Sequence, residues 1–279
     1  MAGMDEEQEK PAFPEGGSAP STIYGPVHSW RVGWSLGVDL ILVNSICSFN
    51  CVYCQLGRIR VHTLERKLFV PTHQVRQDLV RSDWRKADVV TFSGSGEPTL
   101  ALNLGEAVEA ARDLTGKPQV ILTNGTLLHD TQVRRDAARA DRVFVKLDAA
   151  TETTFRRINR PVEGITLESV VSGAEQFRRE YRGWLGVQIM FLPNSRDPVE
   201  AYLPLLQRME PNEIQVNTPT RPYPGNQWHL ESRGSHGEVR YPARPLKILS
   251  PQRLAEIEDY FEAALPGVLI RRVPTRRKT

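Results

Sequence analysis

Short apolar runs alternate with amphipathic stretches along most of the chain. Six of the runs are rich in β-branched residues and are closed by Gly, Asn, Ser or Pro, which is typical of buried parallel strands. The predicted strands are LGVDLILV (36–43), DVVTFS (88–93), QVILTN (119–124), RVFVKLD (142–148), GVQIMFL (186–192) and EIQVN (213–217). Because amphipathic segments separate them, the pattern predicts βαβ units with right-handed crossovers.

The clearest helical patterns cover 102–116, 166–183, 198–209 and 250–265. The last of these has Ser250 as its N-cap and Pro251 at the first helical position, and a short final strand can follow at 267–273. The alternation fits either a barrel or an open doubly wound sheet. In both folds the active site lies at the carboxyl ends of the strands, and the unusual residues of this chain fall there: Cys47, Gly94 to Glu97, Asn124, Asp148 and Asn217.

The two ends of the chain differ from this middle part. Residues 1–21 are rich in Glu, Pro, Gly and Ser and lack an apolar period, so we expect a disordered N-terminal tail. After Asn217 the pattern degrades, and 218–247 is crowded with Pro, Gly, Arg and aromatic residues, which favours a long ordered loop over the site. The chain ends in RRVPTRRKT, a basic tail that can attract phosphates or simply be solvated.

Composition limits the class of protein only loosely. With 40% hydrophobic and 25% charged residues the chain is of ordinary globular type, and a net charge of +3 says little about partners. No apolar run is long enough to span a membrane, and the acidic start MAGMDEEQEK does not resemble a signal peptide. We therefore expect a cytoplasmic location, where thiols stay reduced.

All three cysteines lie within eight residues, in CSFNCVYC (47–54). An odd number of thiols this close in sequence argues against a disulfide framework. A structural zinc site usually needs four protein ligands, and here a fourth would have to come from a residue such as His28, which precedes the strand. Three thiolates on a four-iron cluster would leave one iron with a free coordination position, where a substrate can bind.

The C-x3-C-x2-C spacing, with Tyr53 directly before the last cysteine, resembles the signature of the radical S-adenosylmethionine (radical SAM) superfamily. The resemblance implies that Cys47, Cys51 and Cys54 hold a [4Fe-4S] cluster whose fourth iron chelates the methionine part of S-adenosyl-L-methionine (SAM). It further implies reductive cleavage of SAM to a 5'-deoxyadenosyl radical, which abstracts a hydrogen atom from the substrate. Tyr53 would lie near the adenine.

A second motif, SGSGEPT (93–99), resembles the Gly-Gly-Glu motif of the same superfamily, which meets the methionine amino group. Glycines let the backbone approach a ligand closely, and a carboxylate suits an ammonium group. Ser95 stands where the first glycine of the motif is expected. The cofactor-binding residues that the resemblance implies are Tyr53, Gly94, Ser95, Gly96, Glu97, Thr123, Asn124, Lys146, Asp148 and Arg160.

Roughly residues 22–222 resemble the radical SAM group related to the wyosine-forming tRNA enzymes, through the cysteine segment and TFSGSGEPTL, ILTNG, VKLDA and RINRP. Enzymes of the wyosine type carry a second cysteine-ligated cluster, for which this chain has no cysteines. The resemblance implies an incomplete (β/α)6 TIM-like barrel over 22–217, with 218–279 as a C-terminal extension of loop, helix and basic tail.

The substrate implied by the resemblance is tRNA or another anionic molecule, which would meet Asn217, Arg221 and Tyr223. Two alternatives stay open. One is an activating enzyme that installs a glycyl radical on a partner protein, and the other is an iron–sulfur electron carrier or redox sensor. The enzyme would need an external electron donor such as a flavodoxin or a ferredoxin, and no membrane partner is expected.

Overall fold

A computed structural model describes residues 20–234 and 239–274 of the chain. The strands are β1 (Ile23–Ser29), β2 (Gly33–Val38), β3 (Ile46–Cys47), β4 (Val61–His62), β5 (Val89–Phe92), β6 (Gln119–Thr123), β7 (Arg142–Lys146), β8 (Trp184–Met190), β9 (Glu213–Asn217) and β10 (Leu269–Arg272). The α-helices are α1 (Thr72–Arg81), α2 (Leu104–Thr115), α3 (Thr131–Ala137), α4 (Glu152–Ile158), α5 (Leu167–Glu180), α6 (Leu203–Met209) and α7 (Pro251–Ala264).

Eight of the strands form one sheet in the order β1-β2-β5-β6-β7-β8-β9-β10. Strand β1 runs antiparallel to β2, and every other neighbouring pair is parallel. Helices connect successive parallel strands, and within the described residues β1 and β10 remain as open edges. The sheet is thus a curled half-barrel, which confirms the predicted incomplete TIM-like barrel.

The sheet has two apolar faces of very different size. The outer face joins the helices in one large buried core that includes Val90 and Phe92 of β5, Val108 of α2 and Phe177 of α5. The inner face carries a separate small cluster of Val89, Val120 and Phe144. Because both faces are covered, strands such as β5 and β9 are buried along their whole length.

The bounds predicted for the first strand, 36–43, are wrong. The corresponding strand is β2, which covers Gly33–Val38 and ends at Val38. Asp39 stops it: its Oδ1 accepts hydrogen bonds from the backbone N–H groups of Ile41 and Leu42, both at 3.0 Å, which turns the chain. Leu42 takes a φ of 60° in the same turn. Leu40, Ile41 and Leu42 are buried, but in a connection and not in a strand.

The other predicted elements match the structure within a few residues, and the final strand is β10, which pairs with β9. The sequence patterns did not identify the antiparallel strand β1 or the helices α1 and α3. Residues 1–19 of the expected N-terminal tail and the basic residues 275–279 lie outside the described residues. No helix within the described residues has the length and apolarity that crossing a membrane requires.

The edge pair β1-β2 depends on a glycine under an aromatic ring. Tyr24 and Gly37 are directly opposite each other, and a Cβ at residue 37 would lie 2.0 Å from the ring of Tyr24. We expect Gly37→Ala to lower the free energy of unfolding by about 1–3 kcal/mol, as overpacking of a filled site does. Unfolding in denaturant measures this free energy. In a Tyr24→Leu background, where the ring is absent, Gly37→Ala should lower the free energy of unfolding by less. An equal loss in both backgrounds would contradict this explanation.

Candidate active site

The cysteine segment is joined to the SGSGEPT loop by backbone hydrogen bonds. The N–H of Ile46 donates to the carbonyl of Ser95, and the N–H of Glu97 donates to the carbonyl of Ile46, both at 3.0 Å. Gly96 lies between them, and a Cβ at that position would be 1.6 Å from the Ile46 carbonyl oxygen. Only glycine permits this approach, so Gly96 fixes Cys47 beside the carboxyl end of β5.

The three thiols line one cavity of about 320 Å³ at the carboxyl ends of the strands. Donors point at two of the sulfur atoms: the N–H of Phe49 (3.4 Å) and Asn124 Nδ2 (3.5 Å) at Cys47, and Asn159 Nδ2 (3.5 Å) at Cys51. Burial raises the pKa of all three thiols, that of Cys51 to about 12. The nearby carboxylate of Glu97 raises the pKa of Cys47 further, and that of Asp148 raises the pKa of Cys51 further.

This donor set fits an iron–sulfur cluster. Thiolates are the protein ligands of such clusters, and N–H groups directed at the sulfur atoms are a common way to tune them. The thiols are free and face a common space, and a buried anionic sulfur needs a positive partner. Within the described ranges, no three His, Cys, Asp or Glu side chains are grouped closely enough to hold a single metal ion.

Glu97 is held by four donors from three residues. Its Oε1 accepts from the N–H (3.1 Å) and Oγ1 (2.7 Å) of Thr99 and from Oγ1 of Thr123 (2.6 Å), and its Oε2 accepts from the N–H of Asn124 (2.7 Å). Burial raises the pKa of this carboxyl, while the hydrogen bonds oppose the shift. Because Oε2 accepts only one of the four bonds, it retains capacity for a further donor from the cavity.

Ser95 faces away from the cavity and binds Asp39. Its N–H and Oγ donate to Asp39 Oδ2 at 3.1 and 2.6 Å. The same oxygen pairs with Arg233 at 3.1 Å, and both side chains of the ion pair are buried. The serine at the glycine position of the motif therefore connects the SGSGEPT loop to the C-terminal segment. Gly94, with a φ of 142°, leaves room for Asp39, since a Cβ there would be 2.5 Å from its carboxyl carbon.

Asp148 organises the opposite wall. Its Oδ1 accepts from the N–H of Met190 (2.9 Å) and pairs with Lys146 Nζ (3.1 Å), and its Oδ2 accepts from Asn159 Nδ2 (2.7 Å) and from the Tyr53 hydroxyl. Lys146 also lies over the Tyr53 ring, 5.2 Å from its centroid. Since Asn159 donates to both Asp148 and Cys51, the carboxylate supports a cysteine through one intermediate side chain.

Part of the C-terminal segment closes over the cysteine segment. Gln55, directly after Cys54, accepts a hydrogen bond from Arg221 and donates to the carbonyl of Ser232 at 3.0 Å. The N–H of Arg58 donates to the carbonyl of Gly225 at 2.9 Å. Asn217 and Arg221 line the thiol cavity, whereas Tyr223 lies outside it and stacks with Arg244, whose guanidinium is 5.3 Å from the ring centroid.

A second cavity of about 470 Å³ adjoins the first, and Tyr53 lines both. Four cationic side chains line it, and the described part of its wall contains no Asp or Glu: the cations are Arg157, Arg160, Arg244 and Lys247. Arg160 is exposed and holds a φ of 47°, in the left-handed region that non-glycine residues seldom adopt. Arg160 thus lines a neighbouring cleft and not the thiol cavity.

The structure therefore brings most of the predicted residues to one cavity. Its wall includes Cys47, Cys51, Cys54, Tyr53, Gly94, Gly96, Glu97, Thr123, Asn124, Lys146, Asn217 and Arg221. Ser95 and Asp148 lie behind this wall as supports. Sequence reasoning missed Arg31, which lines the cavity from the β1-β2 turn, and nothing in the sequence singles it out. Asn159, which contacts Cys51, lies in RINRP, one of the segments that carry the resemblance.

Comparisons with known proteins agree with this geometry. The family model of the radical SAM superfamily matches residues 41–205. The UPF0026 protein slr1464 of Synechocystis is 45% identical over 258 residues, which cover 91% of this chain and 97% of that protein.

Two solved structures share the fold at low sequence identity. TYW1 with a lysine-pyruvate adduct bound is 15% identical, with a TM-score of 0.58 over 84% of this chain and 75% of that one. Native anSMEcpe with bound AdoMet is 18% identical, with a TM-score of 0.57 over 85% and 63% of the two chains. Because the family match spans more than half of the sequence and includes all three clustered thiols, the chain belongs to the radical SAM superfamily, whose enzymes use a [4Fe-4S] cluster and SAM.

Proposed function

We propose that Cys47, Cys51 and Cys54 hold the [4Fe-4S] cluster of a radical SAM enzyme that abstracts a hydrogen atom from an anionic substrate. The observation that carries the proposal is the convergence of the three half-buried thiols with Gly96 and Glu97 on one cavity. When bound and reduced, the cluster supplies one electron for cleavage of SAM to the 5'-deoxyadenosyl radical. A flavodoxin or a ferredoxin is the proposed source of that electron.

The proposed roles of the surrounding residues follow from their contacts. Glu97 offers the remaining capacity of Oε2 to the methionine ammonium group of SAM, and Thr123 and Asn124 hold that carboxylate in place. Tyr53 packs near the adenine, oriented by Asp148 and Lys146. Gly94 and Gly96 shape the loop by leaving room for Asp39 and for the Ile46 carbonyl, and Ser95 fixes the loop from behind. Arg160 faces the substrate from the second cavity.

For the substrate we favour RNA, and tRNA in particular, within the radical SAM group related to the wyosine-forming enzymes. The support is the second cavity, where, among the residues that the structure describes, four cations and no carboxylate line the wall beside Tyr53. Such a lining attracts a phosphodiester backbone, which binds chiefly through its charge. The pair of half-buried Tyr223 and exposed Arg244 adds a surface on which a base can stack. With three cysteines in the whole chain, the proposed chemistry uses a single cysteine-ligated cluster.

The core of the proposal predicts SAM cleavage that depends on the thiols. Protein purified without oxygen, reconstituted with iron and sulfide and reduced with dithionite should convert SAM to 5'-deoxyadenosine, measured by chromatography. Cys47→Ala should abolish the product because one cluster ligand is lost, and Glu97→Ala should reduce it because the buried Thr123 and Asn124 donors lose their acceptor. A cluster-loaded wild type that neither binds nor cleaves SAM would overturn the proposal.

Asp148 should affect the rate of SAM cleavage although it does not contact a cysteine sulfur atom. In Asp148→Asn the side chain loses its charge opposite Lys146 and can no longer accept from both Asn159 and Tyr53 as the carboxylate does. We expect a fall of about tenfold or more in the rate of SAM cleavage, as is typical when a support behind a metal ligand is removed. Iron content and initial rates measure it, with Asp113→Asn, an exposed carboxylate, as the matched control.

The choice of RNA predicts a salt-dependent affinity that the second cavity controls. A single-stranded RNA oligonucleotide should bind with a dissociation constant that rises steeply with salt, as fluorescence anisotropy can measure. Arg157→Gln and Lys247→Gln should each flatten the slope of log affinity against log salt by roughly 1, whereas Arg135→Gln, exposed on α3 and outside both cavities, should not. Equal slopes in all variants would exclude this cleft as the RNA site.

A further inference from the structure

Two arginines reach the thiol cavity from opposite ends of the sheet. Arg31 lies in the turn between β1 and β2, and Arg221 lies four residues after the end of β9. Both side chains line the cavity that contains the three thiols. Burial lowers the pKa of both guanidinium groups, that of Arg31 to about 10, and the charge of Arg221 lowers the pKa of Arg31 further. The pair therefore brings two costly positive charges to one space.

Neither guanidinium has a carboxylate partner within 4.0 Å among residues 20–234 and 239–274. Arg31 Nη2 donates to Asn217 Oδ1 at 3.1 Å, and Arg221 donates to Gln55 Oε1, so both hydrogen-bond acceptors are neutral amides. The Nε of Arg31 is buried and has no hydrogen-bond partner. Glu213, the acid that acts on Arg31 from a distance, is already bound to Arg271 at 3.3 Å.

Two other cations near this cavity, within the described residues, each have a carboxylate partner. Lys146 pairs with Asp148 and Arg233 pairs with Asp39, each at 3.1 Å. Glu97 is the only carboxylate in the described part of the cavity wall, and its four bonds go to Thr99, Thr123 and Asn124. Charges held away from water are normally paired with an opposite charge. Arg31 and Arg221 are half-buried and have no carboxylate partner within the described residues, which indicates an anion that comes from outside the chain.

We propose that Arg31 and Arg221 bind a phosphate group of the substrate inside the thiol cavity. Two guanidinium forks match the charge and the several acceptor oxygens of a phosphate better than those of a single carboxylate. Asn217 orients Arg31, and Arg221 is hydrogen-bonded to Gln55, the residue directly after Cys54. A phosphate held there keeps the attached sugar or base close to the cluster ligands. The inference rests on the proposed function, in which the bound molecule is the one that loses hydrogen.

The test measures phosphate binding by isothermal titration calorimetry on the cluster-loaded protein, with inorganic phosphate as the probe and chloride matched for ionic strength. Arg31→Gln and Arg221→Gln should each weaken binding by about tenfold or more, because each removes a charge-assisted contact. Arg60→Gln, an exposed arginine of the same cysteine segment, should bind as the wild type does. No phosphate binding by the wild type, or equal binding by all variants, would overturn the proposal.

A second readout separates substrate from cofactor and controls for folding. Arg31→Lys keeps the charge but loses the fork, so it should bind phosphate with an intermediate affinity while retaining the iron content and thermal midpoint of the wild type. The affinity for SAM should be unchanged in Arg31→Gln, Arg221→Gln and Arg31→Lys. If SAM binding falls in parallel with phosphate binding, the arginines serve the carboxylate of SAM, and the assignment to a substrate phosphate is wrong.

The source of the phosphate follows from competition against the same probe. A nucleoside monophosphate that displaces inorganic phosphate would identify a phosphomonoester, and a single-stranded RNA oligonucleotide without terminal phosphates would identify a phosphodiester. Displacement by neither would overturn the inference. Because phosphate binding requires no SAM cleavage, the two proposals fail separately. A wild type that forms 5'-deoxyadenosine but binds no phosphate refutes the arginine site alone, whereas a wild type that binds phosphate but does not cleave SAM refutes the proposed radical chemistry.

Discussion

The backbone bridge between Ile46 and Gly96 is the constraint on which the site depends. Two hydrogen bonds of 3.0 Å hold the strand that carries Cys47 against the loop that carries Glu97, and the missing side chain of Gly96 permits the contact. Without it, the first cysteine would have no fixed position relative to β5 and β6. Because Asn124 follows β6 and donates to both Ser48 and Cys47, the same bridge determines how the end of β6 meets the thiols.

Two buried carboxylates extend this arrangement to the two sides of the half-barrel. Asp39 ends β2, holds Ser95 and pairs with Arg233, so it connects the first parallel strand to the C-terminal segment. Asp148 follows β7 and holds Tyr53, Lys146 and Asn159. Each ionised group is buried, yet each is paired and hydrogen-bonded, which is the condition for keeping a charge inside a protein. Both stand behind the cavity wall and give the residues in front of them a fixed orientation.

The parts of this arrangement that could be predicted are those that local sequence determines. The alternation of apolar and amphipathic stretches, together with the β-branched residues of the apolar runs, located the parallel strands. Polar residues that follow such strands, for example Asn124 and Asp148, must lie at one edge of the sheet. The stop at Asp39 was missed because an apolar run continues past it. Two features were missed: the contact of Arg31 with Asn217 and the pairing of Asp39 with Arg233. Each joins residues that are far apart in sequence, and no local pattern encodes such a contact.

An open half-barrel leaves its inner face in contact with solvent unless other segments cover it. Here β1, its turn and the segment after β9 approach from opposite edges, and Arg31 meets Asn217 between them at 3.1 Å. The cover is polar and cationic where it faces the thiols, although the inner cluster of Val89, Val120 and Phe144 beneath it is apolar. A cover that served only to exclude water would gain more from apolar side chains, because guanidinium groups that are partly removed from water and have no carboxylate partner within the described residues oppose folding. The retained positive charge is therefore better explained by what enters the cavity than by the stability of the barrel.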